Sequence, residues 1–246
     1  MLKQLHLSAY RIAKRVLHGA GLRRSDGVYE AAEIFLGHDV AGVIDGGAFD
    51  GTHSLYFAKM FPLAKIYAFE PTPSTFRTLT RMVEHEPRIR PFRVALADRN
   101  GTASINNNVL PSTNSLLESG RSADAADMFW GRGDIVSRST IETVALDDFA
   151  ARNMGHCDFL KLDLQGYEVN ALRGARRLLR EQIRAVVSEV RFKALYENDK
   201  LFGDIDASLA ENGFRLSLIS EVTHQPKDGT AYEANALWVR DARVLG

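Results

Sequence analysis

The sequence predicts an α/β fold of the Rossmann-like kind, in which a mainly parallel seven-stranded sheet is closed by an antiparallel hairpin. Apolar strand-like runs alternate with helical patterns, and the first run leads into a glycine-rich turn. The chain has 246 residues, which suits one domain with short additions, and 45% of them are apolar, which suffices for a substantial core.

Seven apolar runs predict the strands. The first five alternate with helical patterns and are typical of a parallel sheet, and the last two are typical of a closing antiparallel pair. The predicted strands are Gly42–Asp45, Lys65–Glu70, Pro91–Leu96, Phe159–Leu164, Ala185–Val190, Phe214–Ile219 and Ala236–Arg240.

Two helices are predicted between the early strands. One runs from about Thr52 to Phe61 and is stopped by Pro62. The other runs from about Pro73 to His85, with Thr72 as its N-cap and the proline at its first position.

Two segments depart from this alternation. Residues 1–38 are predicted as an N-terminal helical extension of a domain that spans residues 39–246. Within the extension, residues 2–18 show one apolar and one basic helical face, which predicts packing on the domain, self-association, or contact with an anionic membrane surface or a partner. Residues 106–139 form a long irregular stretch whose central cluster, Met128, Phe129 and Trp130, predicts a lid or a substrate-side wall.

The composition limits the function classes. Lysine plus arginine and aspartate plus glutamate each number 31, which argues against a dedicated nucleic-acid-binding protein. The single cysteine, Cys157, excludes an intrachain disulfide. The sequence contains neither an apolar run long enough to span a membrane nor a signal-peptide core, so we expect a cytoplasmic protein.

The first motif is the glycine turn after the first strand, Val43-Ile-Asp-Gly-Gly-Ala-Phe-Asp-Gly51. Its glycines let backbone amides and a helix N-terminus approach a ligand. Asp45 at the strand end suits a ligand with an ammonium group and would repel a pyrophosphate. The alternative is that Asp45 caps the following helix.

Two further acids follow the next strands. Glu70 ends the second strand, 19 residues after Gly51, where an acid binds a ribose diol in nucleotide-binding folds; the alternative is an ordinary surface glutamate. Asp98 follows the third strand, where it either accepts an adenine amino group or serves as a turn residue before Asn100-Gly101.

The fourth motif is Phe159-Leu-Lys-Leu-Asp-Leu-Gln-Gly-Tyr-Glu168. Lys161 and Asp163 interrupt an apolar strand, and buried charge is costly unless it is paired or used. Asp163 is predicted at the carboxyl end, facing the ligand edge. Glu168 either takes part in the chemistry or favours the dipole at the start of the next helix.

These motifs together resemble the FkbM family of methyltransferases. The resemblance rests on Val43–Gly51, Glu70-Pro71, Ala95-Leu-Ala-Asp98, Asn114-Ser-Leu116, Thr143-Val-Ala-Leu-Asp147 and Lys161–Glu168, and covers about residues 40–240, including Glu189 and the closing Asn235-Ala-Leu-Trp-Val239. Gly46 and Phe49 stand where other residues are common in the family.

The resemblance implies a class I methyltransferase fold with S-adenosylmethionine as the methyl donor. It also implies O-methylation of a sugar, a glycan or a secondary metabolite such as a polyketide. It places donor-site positions at Asp45, Gly47, Ala48, Gly51, Glu70, Asp98 and Asp163, and a segment near the cofactor at Asn114 and Ser115. We expect the neighbouring Gly46, Asp50, Ser54, Pro71 and Ala97 to take part in cofactor binding as well.

Methyl transfer to an alcohol requires a group that removes the hydroxyl proton. The candidate bases are His53, Asp163, Glu168, Glu189 and His224, with His53, Asp163 and Glu168 taken as the catalytic set. Asp163 and Glu168 could instead hold a divalent cation that orients the acceptor.

Three functions therefore compete. The first is a methyltransferase with a small-molecule or glycan acceptor, the second one with an RNA or protein acceptor, and the third a non-enzymatic or NAD-binding module. Neutral net charge counts against RNA.

Overall fold

The computed structural model describes residues 27–118, 120, 135–225 and 228–240. Over these ranges the chain forms two sheets flanked by helices. The strands are β1 (Gly42–Gly46), β2 (Lys65–Phe69), β3 (Ile89–Phe92), β4 (Ala95–Ala97), β5 (Gly101–Asn108), β6 (Ile135–Ala145), β7 (Phe159–Leu162), β8 (Ala185–Arg191), β9 (Phe214–His224) and β10 (Ala231–Arg240). The helices are α1 (Val28–Leu36), α2 (Thr52–Met60), α3 (Pro73–Met82), α4 (Leu146–Asn153), α5 (Glu168–Arg173), α6 (Arg176–Glu181) and α7 (Phe202–Ala210), with a 3₁₀ turn at Pro111–Thr113.

The large sheet has seven strands in the order β3-β2-β1-β7-β8-β10-β9. Strand β10 pairs antiparallel with both β8 and β9, and the other neighbouring pairs are parallel. The predicted mainly parallel seven-stranded sheet with a closing antiparallel hairpin is thereby confirmed. The strand order reverses between β1 and β7, and open α/β sheets bind ligands at the carboxyl ends of strands beside such a reversal.

The third predicted strand, Pro91–Leu96, is wrong as a single element. The chain leaves the large sheet after Phe92, and β4 instead pairs with β6 in a second, three-stranded sheet of order β4-β6-β5. The sequence does not mark the break between β3 and β4 because apolar residues lie on both sides of it. Leu96 of β4 still packs in the main core, although its strand pairs with β6 and not with the large sheet.

The expected irregular stretch at 106–139 is also corrected at both ends. Asn106, Asn107 and Asn108 belong to β5, and Ile135–Ser139 begin β6. Asparagine is depleted in strands, but here the side-chain amide nitrogens have acceptors: Asn107 Nδ2 donates to Ser137 and Ser139 Oγ. The cluster Met128, Phe129 and Trp130 lies outside the described residues.

Helix α1 packs as part of the domain core. Val28, Ala32 and Leu36 are buried at intervals of four residues and join a core cluster with Phe57 and Val239. The described end of the predicted 1–38 extension is therefore integrated with the domain. The predicted helix over residues 2–18 lies outside the described residues.

Thr72 takes the predicted N-cap position of α3 and Pro73 its first turn, although the threonine side chain makes no capping hydrogen bond. No helix in the described ranges is both long and apolar enough to cross a membrane.

Gly174, just after α5, lies at a close backbone approach to the three-stranded sheet. A Cβ atom at this position would lie 2.0 Å from the Ala97 carbonyl oxygen and 3.2 Å from Ala145 Cα. Its carbonyl also accepts a hydrogen bond from the Asp147 backbone amide at 2.8 Å. Only a residue without a side chain lets α5 pack this closely on β4 and β6.

We predict that Gly174→Ala lowers the free energy of unfolding by about 1–3 kcal/mol, because the backbone of β4 must move to admit a methyl group. Urea denaturation measures this. Gly203→Ala is the matched control, since a Cβ there meets nothing within 4 Å and lies in α7; it should stabilise the protein by about 0.5–1 kcal/mol. Equal stability of Gly174→Ala and the wild type would contradict the packing argument.

Candidate active site

A cavity of about 260 Å³ opens at the carboxyl ends of the parallel strands, between the two sheets. It is lined by several of the residues that the sequence singled out, namely Gly47, Ala48, Asp50, His53, Glu70, Pro71, Asn114 and Asp163. Others from the same set lie outside its lining, namely Asp45, Gly46, Gly51, Ser54, Ala97, Asp98, Ser115, Glu168, Glu189 and His224. The structure thus brings the glycine turn, Glu70 and Asp163 together at one place.

The glycine turn follows β1 and is packed against the end of β7. Gly47 has φ +72°, and a Cβ there would lie 1.9 Å from the Asp163 carbonyl oxygen, so no side chain fits. The amides of Gly47 and Ala48 both donate to the Phe69 carbonyl, at 3.0 and 2.9 Å. These two amides therefore tie the turn to the end of β2 and are already occupied by a protein acceptor.

Asp45 lies behind the cavity wall and is fully buried. Its Oδ2 accepts a hydrogen bond from Ser54 Oγ at 2.6 Å, and its Oδ1 lies 3.2 Å from Lys161 Nζ. Because each oxygen contacts a side chain of the protein, the carboxylate holds the turn and the start of α2 in place from within the core.

Lys161 is the counter-charge to Asp45 and sits beside it on the neighbouring strand. Its ammonium also donates to the carbonyls of Gly46 and Gly47, at 3.2 and 2.9 Å, so that all three donors have partners. Burial alone would lower the pKa of Lys161, but the Asp45 and Asp163 carboxylates hold it above its ordinary value. The lysine stays charged and fixes the carbonyls of the turn.

Glu70 is one of the carboxylates that line the cavity. It is 7% exposed, and its Oε1 accepts hydrogen bonds from the Thr72 amide at 2.9 Å and Thr75 Oγ1 at 2.6 Å. Burial raises the pKa of Glu70, while hydrogen bonds from Thr75, Thr72 and the Phe49 amide oppose the rise. The side chain is thus held in place by Thr72 and Thr75 at the start of α3.

His53 lines the cavity from the first turn of α2. Its ring packs on Tyr29 of α1, with ring centroids 5.4 Å apart, and stacks near Phe57. Desolvation of the ring lowers the pKa of His53 below its ordinary value, and the charge of Lys161 acts in the same direction. At neutral pH this histidine is therefore an uncharged imidazole that can accept a proton.

Asp163 is held by a network that the sequence motifs did not reveal. Gln165 Nε2 donates to Asp163 Oδ1 at 2.8 Å, and Gln165 Oε1 accepts from Arg191 at 3.1 Å and Tyr196 at 3.0 Å. Arg191 also pairs with Glu189 at 2.6 Å. Burial raises the pKa of Glu189 well above its ordinary value, with Asp163 adding to the rise.

Glu168 is turned away from the cavity. It is the first residue of α5, and its Oε1 accepts hydrogen bonds from the Leu164 and Gly166 amides at 2.7 and 3.4 Å. Burial raises the pKa of Glu168. The structure therefore corrects its assignment to the catalytic set, because its carboxylate holds the loop that carries Asp163.

Some of the remaining predicted residues line the cavity and others lie outside it. Asn114 lines the cavity, while its Oδ1 accepts from the Asn108 amide at 2.8 Å. Ser115 is buried behind it and donates to the Gln165 carbonyl at 2.7 Å. Asp98 and His224 are exposed outside the cavity. Within the described ranges no three histidine, cysteine, aspartate or glutamate side chains are grouped so that they could hold a metal ion.

Comparison with known protein sequences identifies one family. The profile described as "Methyltransferase FkbM domain" matches residues 45–216. The chain is 27% identical over 217 residues to methyltransferase sdnD of Sordaria araneosa, covering 75% of this chain and 81% of that protein. It is 27% identical over 165 residues to the 2-O-methyltransferase NoeI of Sinorhizobium fredii (strain NBRC 101917 / NGR234), covering 63% of this chain and 65% of that protein.

A solved structure with a similar fold is the methyltransferase FkbM from Methylobacillus flagellatus KT. It has a TM-score of 0.51 and 15% identity, with 80% of this chain and 44% of that chain covered. The chain thus spans less than half of that structure, and at this identity the likeness concerns the fold.

We predict that Lys161→Met lowers the free energy of unfolding by about 3–5 kcal/mol, because it leaves the buried Asp45 carboxylate without its counter-charge. Adding Asp45→Asn to Lys161→Met should restore much of the loss. Glu118→Gln, which removes the charge from the exposed pair with Arg138, is the control and should cost at most about 1 kcal/mol. Chemical denaturation measures the free energy of unfolding of each variant. If Lys161→Met lowers it no more than the control does, the pair does not have the stabilising role described here.

Proposed function

We propose that this chain, which belongs to the FkbM methyltransferase family, transfers the methyl group of S-adenosylmethionine to a hydroxyl oxygen of a sugar, a glycan or another secondary metabolite. Family membership makes the chain a methyltransferase; the donor and the acceptor oxygen are our proposal. The observation that carries it is the placement of Glu70 and Asp163 in one cavity, beside the glycine turn at the sheet's reversal point.

The residues of the cavity fit such a donor. Glu70 offers a fixed carboxylate, which suits a ribose diol. Apolar side chains, including Phe69, Leu96 and Ile105, form a wall that suits a purine ring. The carboxylate of Asp163 favours a cationic ligand in the same cavity.

When bound, S-adenosylmethionine supplies an electrophilic methyl carbon on a cationic sulfonium. The protein must then hold the acceptor oxygen in line with that carbon and take the hydroxyl proton. The polar groups available in the lining for orienting acceptor hydroxyls include Asp163, Gln165 and Tyr167.

We assign proton acceptance to His53. It lines the cavity, and the lowered pKa keeps its imidazole neutral at physiological pH. Asp163 is the alternative base. Its carboxylate already accepts a hydrogen bond from Gln165. We therefore assign Asp163 the role of orienting the acceptor and His53 the role of taking its proton.

Transfer to oxygen is supported by the name of one relative, a 2-O-methyltransferase. A macromolecular acceptor is the second candidate, and the balanced charge of the chain counts against RNA. We further propose that the enzyme works in the cytoplasm and that residues 2–18 mediate self-association or contact with a membrane surface. A lid over the acceptor formed by residues within 106–139 also stays a proposal.

The proposal is tested with methyl-labelled S-adenosylmethionine and a panel of sugars, oligosaccharides and hydroxylated polyketides. Label recovered as a methyl ether supports it. Label found only in RNA or protein, or binding of NAD without binding of S-adenosylhomocysteine, would overturn it. Repeating the reaction in a chelator tests the proposed divalent cation.

We predict that His53→Asn reduces kcat by about 10²–10⁴-fold, the usual contribution of a general base, while the affinity for S-adenosylhomocysteine changes little. In the wild type, kcat should fall as the pH drops through the lowered pKa of His53, where the imidazole becomes protonated. His85→Asn, at an exposed histidine far along the chain from α2, is the control. Full turnover in His53→Asn would transfer the role of base to Asp163.

A further inference from the structure

Phe49 combines two unusual features in the glycine turn. Its backbone has φ +48°, in the left-handed region that a bulky side chain rarely adopts. Its side chain lines the cavity and remains 37% exposed. Residues in such conformations persist where the surrounding structure enforces them, and they cluster at ligand sites.

The left-handed backbone places both the amide and the ring of Phe49 at the ligand side of the turn. The amide faces the Glu70 carboxyl group and helps to hold it. The ring lines the same cavity as Glu70, and within the described part of the chain it has no aromatic partner. An apolar ring left open beside a ribose-binding carboxylate gains its contacts when a ligand is bound.

Phe35 has a similar exposed fraction but lacks the other features of Phe49. Phe35, on α1, is 40% exposed, and it lies outside the cavity lining on an ordinary helical backbone. A single exposed phenylalanine of that kind is common and requires no explanation. Phe49 differs because strain, exposure and cavity location coincide at one residue.

We propose that Phe49 is a binding residue for the nucleoside end of the methyl donor, and that its ring covers the ribose and base held at Glu70. This inference rests on the proposed function, since it takes S-adenosylmethionine as the donor. The ring of Phe49 would give the ligand an aromatic contact at a turn whose other side chains are small or acidic. The left-handed backbone of Phe49 would then serve to position that ring.

Calorimetric titration tests the assignment with two probes, S-adenosylhomocysteine and 5′-methylthioadenosine, which lacks the amino-acid end. Phe49→Asn should weaken both by a similar factor, on the order of tenfold. Asparagine tolerates the left-handed conformation, so the melting temperature without ligand should stay level or rise by roughly 2–4 °C. Phe35→Asn is the control and should leave both affinities unchanged.

Phe49→Leu provides a second variant, which keeps an apolar side chain and lacks the aromatic ring; it too should bind both probes more weakly. Wild-type affinity of both variants for the two probes would overturn the inference. So would weaker binding of S-adenosylhomocysteine alone, because the ring would then act at the amino-acid end. A wild-type protein that binds neither probe would instead overturn the proposed function itself, which separates the two failures.

Discussion

The buried ion pair between Asp45 and Lys161 fixes the strand ends from which the cavity is built. The two residues are cross-strand neighbours on β1 and β7, at the point where the strand order of the large sheet reverses. Because the lysine also binds the Gly46 and Gly47 carbonyls, one ammonium group holds the turn, the acid and both strands together. Such a pair is costly to bury and costly to break, so the local geometry has little freedom.

Two other constraints complete the cavity around this pair. Gly174 lets the end of α5 approach the second sheet, whose strands β4 and β5 contribute Ala95, Leu96 and Ile105 to the cavity lining. Gln165, with φ +53°, links Asp163 to the buried Arg191 and thereby orients the carboxylate. Gln165, the strained position of the two, lies in the cavity lining, where its conformational cost serves a site.

The sequence predicted the large sheet well because its strands are apolar, regularly spaced and separated by helices with clear stop signals such as Pro62. It also located Glu70 and Asp163 correctly at strand ends that line one cavity. It failed for the second sheet, since the side-chain Nδ2 atoms of Asn106, Asn107 and Asn108 donate hydrogen bonds beside their strand, a property that strand propensity does not capture. Gln165 lies within the motif Lys161–Glu168, but neither Gln165 nor Arg191 had a predicted role, and only their contacts reveal one.

The same limit applies to the acids near the ligand edge. Asp45, Glu168 and Glu70 all sit at the ends of β-strands or the starts of helices, where a carboxylate can face a ligand or the backbone. Sequence position does not distinguish these cases. The structure does, because Asp45 and Glu168 have their oxygens occupied by a lysine, a serine and backbone amides, whereas Glu70 lines the cavity.

The most direct measurement is the affinity of the Asp45→Asn/Lys161→Met double variant for S-adenosylhomocysteine, in a preparation shown to be folded. Our account predicts that the variant binds about tenfold or more weakly than the wild type, because the turn loses the charges that order it. Affinity equal to that of the wild type would contradict the account, since the pair would then support the fold without shaping the ligand site.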